Sequence, residues 1–347
     1  MQIYELAKKI SIEESIDFKN ISKEILQLNI LDILSNYRDL YKNITFQGGT
    51  ALKLCYGLSR YSEDLDFTIN KEGKNFINKF FNELPSKLKI EEKINATAKK
   101  SGLLDIINVK VIPKEQIKSI NVKIEFMNIP SYTKQFKIVE NKYNSGIKDL
   151  YVPTESLEEI LADKVVALGG RRILDGMPFK SRDIWDIAWL SNKNIVLNPD
   201  LILKKINDYK IGKDDFLNTL NKRLEFFNLE KSSVFFKNEM NRFVFGKAIS
   251  LLQDNEFIYS IFQEVKSITR ETAKLLKENG IAGNRKFQKY RDIYQTSGFN
   301  AAVAEMKQDK IDDAVIKFHY KEIFPDKSLT EVEKAVNAIE KDRGMER

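Results

Sequence analysis

The sequence predicts an α/β fold, α+β in the stricter sense: a small mixed sheet flanked by helices, then a helical C-terminal half. Three observations predict it. Leu65, Phe67 and Ile69 alternate with polar residues, as do Val122, Ile124 and Phe126, and a period of two is the signature of a half-buried strand. Leu157, Ile160, Leu161, Val165 and Leu168 recur at helical spacing on one stripe. Beyond Asn198-Pro199 the chain carries only helical patterns, with Lys and aromatics mixed.

The first forty residues hold two helices, with apolar faces Ile3–Ile10 and Ile21–Leu34. Ile44–Phe46 is a short strand feeding Gly48 and Gly49, and a helix follows over Thr50–Leu58. Those glycines leave free N–H groups at the positive end of a helix dipole, where an anion binds. The strand after them ends near Asn70. Its period puts Asp64 and Asp66 on one face, and neighbouring carboxylates repel unless a cation lies between them. A hard divalent ion held by oxygen is the usual solution. An anion cradle and a carboxylate pair in one short segment suggest metal-assisted phosphoryl or nucleotidyl transfer.

A polar helix is expected over Lys74–Leu84, stopped by Pro85, and strands over Leu88–Ile90, Ile106–Ile112 and Asn121–Met127. On the last, Lys123 and Glu125 share the face opposite Val122, Ile124 and Phe126, making Glu125 a candidate third carboxylate. The helix over 155–168 is capped by Ser156 or Thr154 and ended by Gly169-Gly170. Lys164 lies at the border of its apolar stripe, so it must snorkel or find an anion. Arg171 and Arg172 extend the same basic rim. Another helix opens at Lys180-Ser181-Arg182, with Asp183 and Asp186 on one side. Capping by Ser181 and dipole compensation by Asp183 would account for that pattern equally well. Gly280–Gly283 reads as a linker before a last helical stretch. The expected units are 1–195, 196–280 and 281–347.

The 347 residues include one Cys and one His, with a formal net charge of +7. A single cysteine excludes an internal disulfide and a multi-cysteine zinc site, and fits a reducing cytoplasm, the expected location. Cys55 reads as a small core residue. Triad chemistry would have to use His319, remote in sequence from every other candidate and expected to be structural. No run of about 18 apolar residues is present, so no membrane span is expected. The positive charge suits a polyanionic partner, and Lys/Arg outnumber Asp/Glu ten to six over 201–250, with Lys204 and Lys205 candidates to face RNA.

Gly-Gly-Thr-Ala-Leu followed by Arg-Tyr-Ser-Glu-Asp-Leu-Asp-Phe resembles the AbiEii/AbiGii nucleotidyltransferase toxins, relatives of the DNA polymerase β superfamily. The resemblance implies a polymerase β-like nucleotidyltransferase domain. It implies an enzyme that moves a nucleoside monophosphate from an NTP to a hydroxyl, on RNA such as tRNA, and a cognate antitoxin. By the same resemblance Asp64, Asp66 and Glu125 hold Mg2+, two ions in all, and Lys164 reaches the nucleotide phosphates. Gly48, Gly49 and Thr50 cradle the triphosphate, Arg60 and Ser62 position it, and Lys123, Asp183 and Asp186 support the site. Glu125 departs from the Asp found in many relatives. A small-molecule (antibiotic) nucleotidyltransferase, a metal nuclease and a non-catalytic nucleotide-binding module are the rival expectations.

Overall fold

A computed structural model describes residues 3–14, 16–88, 90, 92–113, 119–140, 142–143, 149–171, 179–228, 230–286, 288–311, 313–318 and 320–344. The chain opens with α1 (Ile3–Glu14), α2 (Phe18–Ser35) and the short α3 (Arg38–Tyr41), then β1 (Ile44–Gln47), α4 (Gly48–Tyr56), β2 (Leu65–Ile69) and α5 (Lys71–Lys87). Strands β3 (Lys93–Lys100), β4 (Leu104–Ile112), β5 (Ile120–Met127), β6 (Gln135–Val139) and β7 (Leu150–Thr154) follow. Next come α6 (Leu157–Gly170), α7 (Ser181–Asn192), α8 (Pro199–Asp208), α9 (Lys213–Phe226), α10 (Glu230–Met240), α11 (Lys247–Leu251) and α12 (Asn255–Lys286). The C-terminal helices are α13 (Gln288–Ser297), α14 (Phe299–Gln308), α15 (Asp313–Phe318), α16 (Tyr320–Ile323) and α17 (Leu329–Gly344).

The fold is mixed α/β, as expected, on a seven-stranded sheet of order β3-β4-β5-β2-β1-β7-β6. β2 pairs antiparallel with β1 and parallel with β5, and β1 runs parallel to β7, so the sheet is mixed at its centre. The central strands are fixed by an aromatic ladder on one face. Phe67 stacks on Phe46 at 5.1 Å and on Phe126 at 5.5 Å, and Phe80 of α5 meets Phe126 edge-on. Because side chains alternate, the opposite face of β2 and β5 carries the carboxylates.

One apolar core runs from Ile3 to Leu276 and joins the sheet to α8–α12; a second, from Tyr290 to Val336, is built by the C-terminal helices. Among the described residues no helix is long and apolar enough to cross a membrane.

Several expectations are corrected. Pro85 lies inside α5, which starts at Lys71 under an Asn70 cap. A proline removes one helical bond, and buried Leu84 and Leu88, linked by the Leu88 N–H to Leu84 O bond, hold the last turn around it. Leu88 therefore closes α5 rather than opening a strand. Strands β3, β6 and β7 were not expected. α4 begins at Gly48 and ends at Gly57, whose φ is +81°. Gly169 and Gly170 are the last two residues of α6, as expected; a Cβ on Gly169 would run into Phe216 of α9 and one on Gly170 into Ile211, so close packing within the chain also requires glycine there. Ser156, not Thr154, caps α6, through the Glu159 N–H. The backbone of α12 stays helical through Gly280–Gly283. Arg172 and His319 lie outside the described residues.

Candidate active site

The turn from β1 into α4 is where the chain closes most tightly on itself. Gly48 has φ +76°, and a Cβ there would lie 2.6 Å from Asp66 Oδ2; one on Gly49 would strike the Arg60 guanidinium and come 3.0 Å from Ser62 Oγ. Only glycine lets this backbone approach both groups. Thr50 is fully buried, and its hydroxyl donates to the Asp64 carbonyl, tying the start of α4 to the loop that carries the acids. Thr50 thus supports Asp64 and is not open to a phosphate. Ser62 is half-buried, with its carbonyl held by Gln27 Nε2 at 3.1 Å.

Register does the rest. Gln47 faces Asp66 on one side, and Glu125 faces Asp66 on the other. Asp64 lies opposite Lys123, whose Nζ is 2.6 Å from Glu125 Oε1 and 3.6 Å from Asp64 Oδ2. Burial, then the charges of Glu125 and Asp64, push the Asp66 carboxyl up to about 7. Burial also raises Asp64, against the pull of Lys123. For Lys123 burial works downward, but the Glu125 hydrogen bond and the Asp64 charge raise its ammonium above the usual lysine value.

Behind the acids runs a chain of alternating charges. Arg60, 1 % exposed, donates from Nε and Nη2 to the two oxygens of Asp186, each at 2.6 Å. Lys164 Nζ lies 2.8 Å from Asp186 Oδ2 and 3.0 Å from Asp183 Oδ1, and Arg171 also grips Asp183. Burial opposes ionisation of both aspartates, yet the facing cations hold Asp183 and Asp186 below the ordinary carboxylate range. Lys164 therefore meets the anion its place on α6 demands, and that anion is a pair of protein carboxylates. Neither Ser181 nor Asp183 caps α7: Lys180 occupies the cap position, the Ser181 N–H goes to Glu239, and Asp183 is spent on Lys164 and Arg171.

These groups surround a polar cleft of about 90 Å³ lined by Gly49, Arg60, Ser62, Asp64, Asp66, Lys164, Arg171, Lys180, Arg182 and Asp183. A larger cavity of about 540 Å³ opens on the other side of α7, among Trp185, Trp189, Phe245 and Phe257. Volume favours the latter, but its walls are mostly apolar and hold no acid pair, so the smaller cleft is the candidate site. Lys180 and Arg182 were not singled out in the sequence; the basic residues at the start of α7 were the available signal. Burial beside Arg171 pulls the Lys180 ammonium down, Arg171 being the larger influence.

Among the described residues no three acidic, thiol or imidazole groups converge as a formed metal cage, and the Lys123 ammonium lies 2.6 Å from Glu125 and 3.6 Å from Asp64. The donor chemistry still suits a hard divalent cation: three carboxylates share one face of the sheet with the Lys123 ammonium, and Asp64 and Asp66 are raised in pKa by burial and by neighbouring carboxylates, Glu125 among them.

Lys205 does not face the cleft. It is fully buried, with Nζ at 3.2 Å from Glu155, 2.7 Å from Glu159 and 3.1 Å from Asp163. Lys204 packs over the Tyr132 ring. Cys55 is half-buried on α4 and its thiol is pushed up to about 12 by burial, as an inert packing residue should be.

Residues 32–254 match the family described as nucleotidyl transferase AbiEii toxin, type IV TA system. The chain belongs to this AbiEii toxin family. Its fold is that of MenT4, a nucleotidyltransferase toxin of Mycobacterium tuberculosis H37Rv, with 13% identity, a TM-score of 0.52, and coverage of 78% of this chain and 92% of that one. JHP933 of Helicobacter pylori is similar at 17% identity and a TM-score of 0.40, over 78% of this chain and 98% of that one, a likeness too loose to carry weight. No curated protein sequence matches significantly. The AbiEii match spans the glycine turn, the three acids, α6 and α7.

Proposed function

We propose that this AbiEii-family protein transfers a nucleoside monophosphate from a nucleoside triphosphate to a hydroxyl of RNA, tRNA being the foremost candidate, and so arrests growth as the toxin of a toxin–antitoxin pair. One observation carries the reading: Gly48, at the dipole-positive start of α4, closes on Asp66 while Glu125 flanks the same carboxylate. An anion site and an acid cluster thereby share one cleft.

In this reading the N–H groups of Gly48 and Gly49 hold the triphosphate, and Arg171, Lys180 and Arg182 flank it on the cationic rim. Lys164 neutralises the developing charge, positioned by Asp183 and Asp186. Arg60 fixes Asp186 and the floor under Gly49. The acceptor oxygen attacks the α-phosphorus, the bond to the β-phosphate oxygen breaks, pyrophosphate leaves, and the hydroxyl proton passes to Glu125. Mg2+, in two ions held by Asp64, Asp66 and Glu125, would screen the phosphates and polarise the reacting phosphoryl group. The net charge of +7 and the basic rim favour a polyanionic acceptor. Cytoplasmic RNA, a cognate antitoxin and a division into 1–195, 196–280 and 281–347 complete the proposal.

The test is incubation with total RNA, and separately with aminoglycosides, with each labelled NTP in turn. Label on an RNA band, lost with Asp66→Asn, is expected. Label on the small molecule would transfer the assignment to antibiotic modification, and no transfer to either would leave a non-catalytic nucleotide-binding module.

A further inference from the structure

The face shared by β2 and β5 carries Asp66 on β2, with Asp64 just before that strand, and Lys123 and Glu125 on β5. Leu65 pairs with Ile124 and Asp66 with Glu125, which sets Lys123 across from Asp64. Its Nζ lies 2.6 Å from Glu125 Oε1 and 3.6 Å from Asp64 Oδ2, a position a cation would take between two acids. An ammonium is a compact point charge with donors on all sides, so it satisfies both at once. Its side chain is 37% exposed, which leaves solvent on one side for the long stem to swing into. By contrast Lys164, on the wall of the cleft, is 13% exposed and held by two buried aspartates.

We propose that Lys123 is a resident counter-ion that occupies the place of a divalent cation, must be displaced for one to bind, and thereby makes the site select a cation delivered with a triphosphate over a free one. This rests on the reading of Asp64, Asp66 and Glu125 as the cation-binding acids. A free divalent ion has to break the Lys123 contacts and leave the ammonium with water alone. A cation arriving with a triphosphate brings anionic oxygens into the cleft, and the displaced ammonium regains a partner there. Lys123 thus couples cation and nucleotide binding and penalises occupancy by the ion alone.

The test is Mn2+ titration of the full chain followed by electron paramagnetic resonance, without nucleotide. Lys123→Met, which keeps the length of the side chain and removes its charge, is expected to bind Mn2+ about tenfold or more tightly than wild type, the scale set by one unit charge a few Å away at a protein surface. Lys123→Arg keeps the charge and is expected to stay near wild type. Adding Asp66→Asn to Lys123→Met is expected to remove the gain. Equilibrium dialysis of the four labelled NTPs with and without Mn2+ reads the coupling, expected to shrink in Lys123→Met. Circular dichroism checks that each variant is folded, with Lys123→Gln as a second neutral form. If wild type binds Mn2+ in an Asp66-dependent way and neither neutral variant binds it more tightly, the proposal is overturned and the acid site stands. If no form binds Mn2+ at millimolar concentration, both fall.

Discussion

Arg60 and Asp186, 126 residues apart, meet in a fully buried bidentate pair with both contacts at 2.6 Å. Asp186 also holds Lys164 at 2.8 Å, so one carboxylate links the floor of the glycine turn to the lysine of α6. Removing Arg60 leaves the buried Asp186 carboxylate with Lys164 as its remaining cation. Arg60→Leu is expected to cost about 3–5 kcal/mol of stability, read as a fall in Tm by circular dichroism. A fall of a degree or less would show that the pair is dispensable.

Asp66→Asn should behave in the opposite way. Its carboxyl is raised to about 7, so between the ordinary aspartate value near 4 and about 7 the folded protein holds a proton that the unfolded chain gives up. The group's contribution to stability therefore declines as pH rises through that window. Asp66→Asn removes the decline, and urea unfolding in EDTA at pH 5 and pH 8 should show a smaller difference than in wild type. Growth arrest and nucleotide transfer should be lost although the fold is retained. Arrest by a folded Asp66→Asn protein would end its assignment to the chemistry.

Lys164→Ala is expected to lose on two counts. Asp183 and Asp186 would be left partly unpaired, and transfer should fall by a factor on the order of 10²–10³, typical for removal of one positioned donor. Comparison with Lys164→Met/Asp183→Asn separates the effects: stability should recover in the double variant while transfer stays low. Recovery of both would reduce Lys164 to a structural role.

Lys205→Glu, by contrast, should give little folded protein, since it places a fourth acid among Glu155, Glu159 and Asp163 in the interior. A folded Lys205→Glu protein with weakened RNA binding would restore the cleft-facing assignment.

Acceptor binding should instead depend on the rim. With RNA as acceptor, affinity should fall steeply with salt, and Lys180→Ala/Arg182→Ala should lower the slope of log K against log[salt] by about 2. A flat salt response in the wild-type protein would remove RNA from consideration.

Asp64, Asp66 and Glu125 were legible because they interrupt an apolar alternation at fixed parity, and the sheet pairs them as that parity requires. β3 and β6 were not. β3 is an edge strand rich in Lys and Ala, almost wholly exposed, so burial leaves no period in it. On β6, Phe136 and Ile138 are exposed, the reverse of the usual sense. Lys205 was misread because composition does not separate a buried lysine from a solvated one. The signal was present, since Leu201, Ile202 and Ile206 place it on the apolar stripe of α8, the same reasoning that singled out Lys164 on α6. Gly169 and Gly170 were legible as a helix end, but not their second role, because the ring that needs the missing Cβ of Gly169, Phe216, lies on a helix far along the chain.

The packing of Cys55 has a practical consequence. It is the one thiol in the chain, and with its value pushed up to about 12 it carries almost no thiolate at neutral pH. Maleimide dyes and spin labels react with thiolate, so the wild-type protein is expected to label slowly with them, which a thiol titration of the folded protein checks. A cysteine introduced on the exposed face of α5 or beside Arg182 would be labelled alone, giving site-specific distance and anisotropy probes without first removing a native residue.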